Sequence, residues 1–428
     1  MKMSTNKQSK DRSFHWRIVG FIIYLIGIFV LQDVLQSNLY PISISYLKDM
    51  NNNKYFSQGV LDFFTSLTYI GTITPYLVIL AFVYNFSNIY KSFVLLMVVL
   101  NTYLLGGLFK LILAQPRPFF SDKDITNHDF SCNLGFGNPS GHSVSSTGFY
   151  LSLWHIIFDS SKLKDKTLIK YVVFTIMIIL LIFINFGRFL SGTNSIDQII
   201  FGFFIGLGIY LCIFQVLKVN VNDGIQFFTF MNIRNVIFFT ANFLIFLTGL
   251  LVYVFVPADT DSQNAWLENV KQNANSKCYT SVETQNKFQQ EAFLMIGTFL
   301  SNFGAFLGLK LEYYYNFNAN TQNWNQYNFE KVEKLEDSLL SRISNTELQW
   351  NHTSIAKSII RLLVILILAG LLLLPFILIS SNNNIILVFL FKYFVPIGLV
   401  AFTMFYLFKV IVKKFKLDNS SVFVLMNE

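Results

Sequence analysis

Long apolar runs separated by short polar segments dominate the chain. They predict helices at Ile18–Leu35, Ile70–Tyr84, Phe93–Leu113, Ser143–Phe158, Ile169–Phe186, Ile199–Leu217, Val236–Val256, Ala292–Leu309, Leu362–Ile379 and Ile385–Phe408. In hydrocarbon each backbone N–H and C=O must find its partner within the protein, so single runs of this length read as helices. The expected fold is all-α, a polytopic membrane helical bundle of about ten spans. Its expected parts are an N-terminal tail over 1–17, a membrane domain over 18–218, further transmembrane spans over 219–412 with a polar loop at 313–357, and a tail over 413–428. Within that loop Phe329, Val332, Leu335, Leu339 and Ile343 recur at helical spacing and predict a short surface helix. It lies on the membrane, docks a partner or packs against the bundle ends.

Composition narrows the class. Of 428 residues 53% are hydrophobic and 13% charged, against about 25% charged in soluble domains. This excludes a cytosolic enzyme, a disordered chain and a nucleic-acid binder. The formal charge of +8 then reflects loops facing an anionic leaflet. Lys2, Lys7, Lys10, Arg12 and Arg17 precede the first run, and no small-residue cleavage site follows it, so it reads as an uncleaved anchor with a cytosolic N-terminus. Threading ten spans from that start places 22 of the 32 Lys and Arg on the cytosolic side and 9 opposite, with Lys392 inside the last run. That asymmetry follows the positive-inside rule.

Cys132 and Cys278 fall in two loops on the non-cytosolic side, where they either pair or remain thiols, and Cys212 reads as a core residue. No Cys/His or carboxylate cluster has ligand spacing, so neither a metal nor a cofactor is expected. The sequons at Asn85, Asn351 and Asn419 fall in cytosolic segments and read as chance matches.

Three segments on the non-cytosolic face carry candidate chemistry. Lys110 ends the third run and Arg117-Pro118 opens the next loop. Pro139-Ser140-Gly141-His142 stands just before the fourth run, where backbone N–H groups and the helix dipole favour an anion and His142 is placed to donate a proton. Arg188 precedes Asn194, Asp197 and Gln198 at the start of the sixth run, and Arg117 with Arg188 forms two planar forks suited to phosphate oxygens.

These segments resemble the type 2 phosphatidic acid phosphatase and haloperoxidase superfamily, whose pattern is Lys, six residues, Arg-Pro; then Pro-Ser-Gly-His; then Arg, five residues, His, three residues, Asp. Lys110 to Pro118 and Pro139 to His142 fit in full. In the third part Arg188 fits, Asn194 stands at the histidine, and Gln198 stands where most members have aspartate. The stretch Cys132–Pro139 and Gln198 are more similar to the glucose-6-phosphatase branch than to short lipid phosphatases.

The resemblance implies a six-helix phosphatase-like core with four appended C-terminal spans, a lumenal or exoplasmic site, and an endomembrane, the endoplasmic reticulum first, over the plasma membrane. It implies that Lys110, Arg117, Ser140, Gly141 and Arg188 bind phosphate and that His142 protonates the leaving alcohol. In the superfamily the third-motif histidine attacks phosphorus. The Asn194 carboxamide has no basic nitrogen, so hydrolysis by that route is expected to fail. His128 reaching the phosphate, or Asp197 activating water directly, are the two substitutes the sequence offers.

Two function classes follow. One is a membrane phosphatase-superfamily protein acting on a phosphomonoester, either a lipid phosphate or a sugar phosphate. The other is an inactive pseudophosphatase, a phosphate-ligand binder or a structural subunit whose C-terminal spans meet membrane-protein partners. Membrane lipid is the expected surrounding in both, and nucleic acid a partner in neither.

Overall fold

The computed structural model describes residues 2–86, 89–129, 135–159, 166–217, 233–256, 259–272, 287–320, 355–379, 384–415 and 417. Cys132, Cys278 and the Phe329–Ile343 segment lie outside the described residues. Among those described there is no strand. The chain runs through α1 (Lys2–Asn53), α2 (Gln58–Thr68), α3 (Ile73–Phe86), α4 (Ile89–Leu113), α5 (Gly141–Asp159), α6 (Thr167–Leu190) and α7 (Ile196–Leu211). It continues through α8 (Ile233–Phe255), α9 (Thr260–Gln272), α10 (Lys287–Ile296), α11 (Phe299–Asn320), α12 (Ile355–Leu372), α13 (Val395–Phe405) and α14 (Leu407–Lys414).

Among the described residues, seven helices are long and apolar enough to cross a membrane, and eight if α2 and α3, bent by 46° at their junction, form one span. Two of the ten expected runs fall outside that count. Ser143–Phe158 forms α5, whose Ser143, Ser145, Ser146, Thr147 and Ser152 lower its apolarity but are buried against protein rather than lipid. Ser143 Oγ donates to Ile199 O at 2.8 Å, one way such a helix tolerates hydroxyls. Leu362–Ile379 is divided at Leu373, after which Pro375 opens a separate short helix, Leu374–Leu378, because proline supplies no N–H to continue the first.

The outward faces match an apolar surrounding. Along α6, Val172, Ile176, Ile179, Ile182 and Phe186 are exposed, while Met177, Leu181, Ile184 and the terminal Arg188 are buried. An exposed apolar stripe of this length is a liability in water and the solvated face in lipid. The protein is an integral membrane protein by this measure.

The chain forms two compact units, each drawn from three segments. The first comprises Met1–Pro75, Asn101–Lys218 and Leu244–Ile296. In it α5 lies close against α7: a Cβ on Gly206 would stand 2.5 Å from Val144 O, so glycine sets the approach. Its core cluster joins Leu47, Phe119, Phe120, Phe136, Phe189, Leu267 and Phe288, with Trp266 packed against it. Phe120 and Phe288 meet edge to face at 4.8 Å, and Asn269 Nδ2 donates to Phe120 O at 2.8 Å, so α9 and α10 clamp the turn after Arg117.

The second unit comprises Tyr76–Leu100, Val219–Phe243 and Gly297–Glu428. Tyr84 donates to Met404 O at 2.7 Å, and its ring packs edge to face on Phe405 and Phe408. Arg361 is fully buried and donates to Asn85 O at 3.2 Å, Leu417 O at 3.1 Å and Ser358 Oγ at 2.8 Å. Asn302 Nδ2 reaches Asn242 Oδ1 at 3.1 Å, an amide pair between α11 and α8.

Candidate functional site

Backbone and amide hydrogen bonds tie the three sequence segments together inside the first unit. Gly137 N–H donates to Gln115 O at 2.8 Å, joining the second segment to the first. Ser140 N–H donates to Gln198 O at 3.0 Å, joining it to the third. Gln198 Nε2 donates to Pro116 O at 2.8 Å, which closes the triangle. Ser195 caps α7, and Gln198 at the third helical position returns its Oε1 to the Ser195 N–H at 3.3 Å, a capping-box arrangement. Ser43 on α1 accepts the next N–H, that of Ile196, at 3.1 Å. The start of α7 is therefore held from three sides.

The cations rise from helix ends onto this frame. Lys110, at the end of α4, donates to Phe136 O, and Arg117 Nε donates to Gly135 O at 2.7 Å. Arg188, at the end of α6, is 2% exposed; its Nη1 meets Asp129 Oδ2 at 2.5 Å and its Nε meets Asn194 Oδ1 at 3.3 Å. Asn194 Nδ2 donates to Gly137 O at 2.9 Å and to Gln198 Oε1 at 3.2 Å. Both ends of the carboxamide are thus engaged by the chain itself. The turn leading to it is tight: Thr193 Oγ1 and Ser191 Oγ both donate to Arg188 O, at 2.9 and 3.0 Å.

A cavity of about 260 Å³ opens where these elements meet. Its wall includes Lys110, Arg117, Gly141, His142, Arg188 and Asn194 from the three segments, with Asp129 and Glu291 beside them. Thr68, Tyr69 and Thr72, Thr102 and Tyr103 from α4, and Ser145 from α5 supply the remaining polar lining. His142 stands in the first turn of α5, where its side chain lines the cavity beside Arg188. Basic side chains around one small cavity attract and orient an anion, and an imidazole at its edge can exchange a proton with it.

Not every residue singled out in the sequence reaches the wall. Ser140 is fully buried outside the lining, and its N–H is taken by Gln198 O. Asp197 is also fully buried away from the cavity, where its Oδ2 accepts from Gln115 Nε2 at 3.4 Å. His128 is not in the lining either; its backbone N–H donates to Ser191 O at 3.1 Å. Neither substitute nucleophile considered from the sequence faces the cavity. Cys212 is half-buried rather than fully in a core. Among the described residues no group of His, Cys, Asp and Glu has the geometry to hold a metal ion.

Two acidic wall residues have no counterpart in the three segments. Asp129 adjoins His128 in the loop, and Glu291 arrives from α10, where a Cβ on Gly107 would meet Ala292 O at 2.8 Å, so that glycine lets α10 lie against α4. An ionisable residue immediately before an apolar run, as Glu291 is before Ala292–Leu309, is the one sequence signal that marks it.

Residues 74–221 match the family model described as the PAP2 superfamily, a stretch that contains all three segments and ends before Glu291. No curated protein and no solved structure matched the chain.

Proposed function

From a PAP2-superfamily segment over residues 74–221, we propose that this membrane protein binds a phosphate-bearing ligand, a lipid head group or a sugar phosphate, and does not hydrolyse it by the superfamily's histidine route. Lys110, Arg117 and Arg188 supply the positive field, Gly141 leaves room at the helix start, and His142 sits within reach of a ligand oxygen. The observation that carries the reading is the Asn194 carboxamide. Its nitrogen donates to Gly137 O and Gln198 Oε1, and its oxygen accepts from Arg188, so no nucleophile faces phosphorus at that position.

The same contacts suit a binding protein. Asn194 and Gln198 together lock the loop that carries Arg188, which keeps the cationic wall in place without a turnover step. The test is inorganic phosphate release from phosphatidate and from glucose 6-phosphate by protein in nanodiscs, with vanadate binding followed in parallel. The expected result is vanadate binding with no phosphate release. Release that disappears in His142→Ala would overturn the reading and establish an enzyme with another nucleophile. In the Asn194→His, Gln198→Asp double variant, onset of release would show that only the nucleophile and its orienting group had been given up.

A further inference from the structure

Two carboxylates, the buried Asp129 and the half-buried Glu291, line the cavity and have no part in that proposal. Asp129 is 4% exposed and holds Arg188 at 2.5 Å. Glu291 accepts the Gly135 N–H at 2.6 Å and lies within electrostatic reach of both Lys110 and Arg117. The wall therefore holds three basic side chains and two acidic ones, an excess of one basic group.

A charge taken out of water has to be balanced where it lands. A phosphomonoester dianion entering this cavity would leave one negative charge uncompensated, and its oxygens would approach Arg188 on a guanidinium that Asp129 already occupies. A phosphodiester brings one negative charge and two non-bridging oxygens, enough to meet Lys110 and Arg117 without displacing Asp129. We propose that the cavity takes a singly charged phosphodiester head group in preference to a phosphomonoester. Its volume of about 260 Å³ admits a phosphate with short alcohol groups on both sides and leaves acyl chains outside. The inference rests on the phosphate-site reading above and concerns which charge state that site accepts.

The experiment is calorimetric titration of the protein in nanodiscs with two soluble probes, glycerol phosphate and its methyl diester, at about pH 8 where the monoester is a dianion. The wild type is expected to bind the diester about tenfold or more tightly than the monoester. Asp129→Asn is expected to erase or reverse that preference by adding one net positive charge. Glu291→Gln, whose amide oxygen still accepts the Gly135 N–H, provides the same test at a second position and guards against a folding defect at the first. A wild type that prefers the monoester, or variants that both keep the wild-type ratio, would overturn the inference and leave the phosphate site standing. Failure of the wild type to bind either probe would overturn the site itself.

Discussion

At the residue scale the ion pair between Arg188 and Asp129 sets the character of the site. Both side chains are almost fully buried at 2.5 Å, so each depends on the other for its charge to be tolerated. Arg188→Ala should cost about 3–5 kcal/mol of stability, because it removes one member of a buried ion pair and leaves the Asp129 carboxylate without that guanidinium. Adding Asp129→Asn should recover part of that loss, a coupling that denaturation of the single and double variants in detergent would measure. Vanadate binding should vanish in Arg188→Ala; binding at wild-type strength would remove Arg188 from the site. Asn194 belongs to the same network, and its identity was legible at once from the spacing to Arg188. Its hydrogen bonds were not, because they depend on Gly137 and Gln198 arriving from elsewhere.

The element scale shows how helix ends are used. Positioning Glu291 requires α10 to pack on α4 across Gly107, where a Cβ would stand 2.8 Å from Ala292 O and 2.9 Å from Met295 Cβ. Gly107→Val should therefore push α10 outward, destabilise the protein by about 1–3 kcal/mol, and weaken ligand discrimination more than ligand binding, a split that titration with the two probes would resolve. The start of α9 offers a pH-dependent element outside the spans. Asp259 accepts from Ser262 Oγ at 2.6 Å and from Ser262 N–H at 3.2 Å, and these bonds hold its carboxyl below the ordinary value. A depressed folded-state value means that the cap contributes above the unfolded value of about 4 and is lost as pH falls through the folded one. Protection of the first turn of α9 against hydrogen exchange, taken relative to the intrinsic rate at each pH, should fall across that acid range, and in Asp259→Ala it should be low at every pH.

For the whole molecule, sidedness and surroundings are the quantities to test. Threading by the Lys and Arg asymmetry predicts Thr167 on the cytosolic side and Asp124 on the opposite side. Single cysteines at these two exposed positions, in a chain cleared of its own three, should react with an impermeant thiol reagent from opposite sides of sealed vesicles. Labelling from one side would overturn the threading. On the lipid-facing stripe of α6, Ile179→Arg should impair insertion or folding by about 2–3 kcal/mol, whereas the same change at an exposed loop position should not. The first unit also reaches past the sixth span, taking in Leu244–Ile296 and with it one of the two carboxylates of the cavity.

What the sequence determined by itself is whatever depends on local composition and short spacing. Apolar runs in a medium without water have few solutions other than helices, so the all-helical membrane fold could be read directly. The Lys110, Arg117, His142 and Arg188 set could be read for the same kind of reason, since a motif keeps its residues within a few positions of a helix end. Only the tertiary structure decided that Ser140 and Asp197 turn away from the cavity, that α5 hides its serines against protein, and that Asp129 and Glu291 join the wall. Those outcomes depend on contacts between residues far apart in the chain, where burial and charge pairing act through space and leave no mark in spacing; Glu291 meets Gly135 across 156 positions.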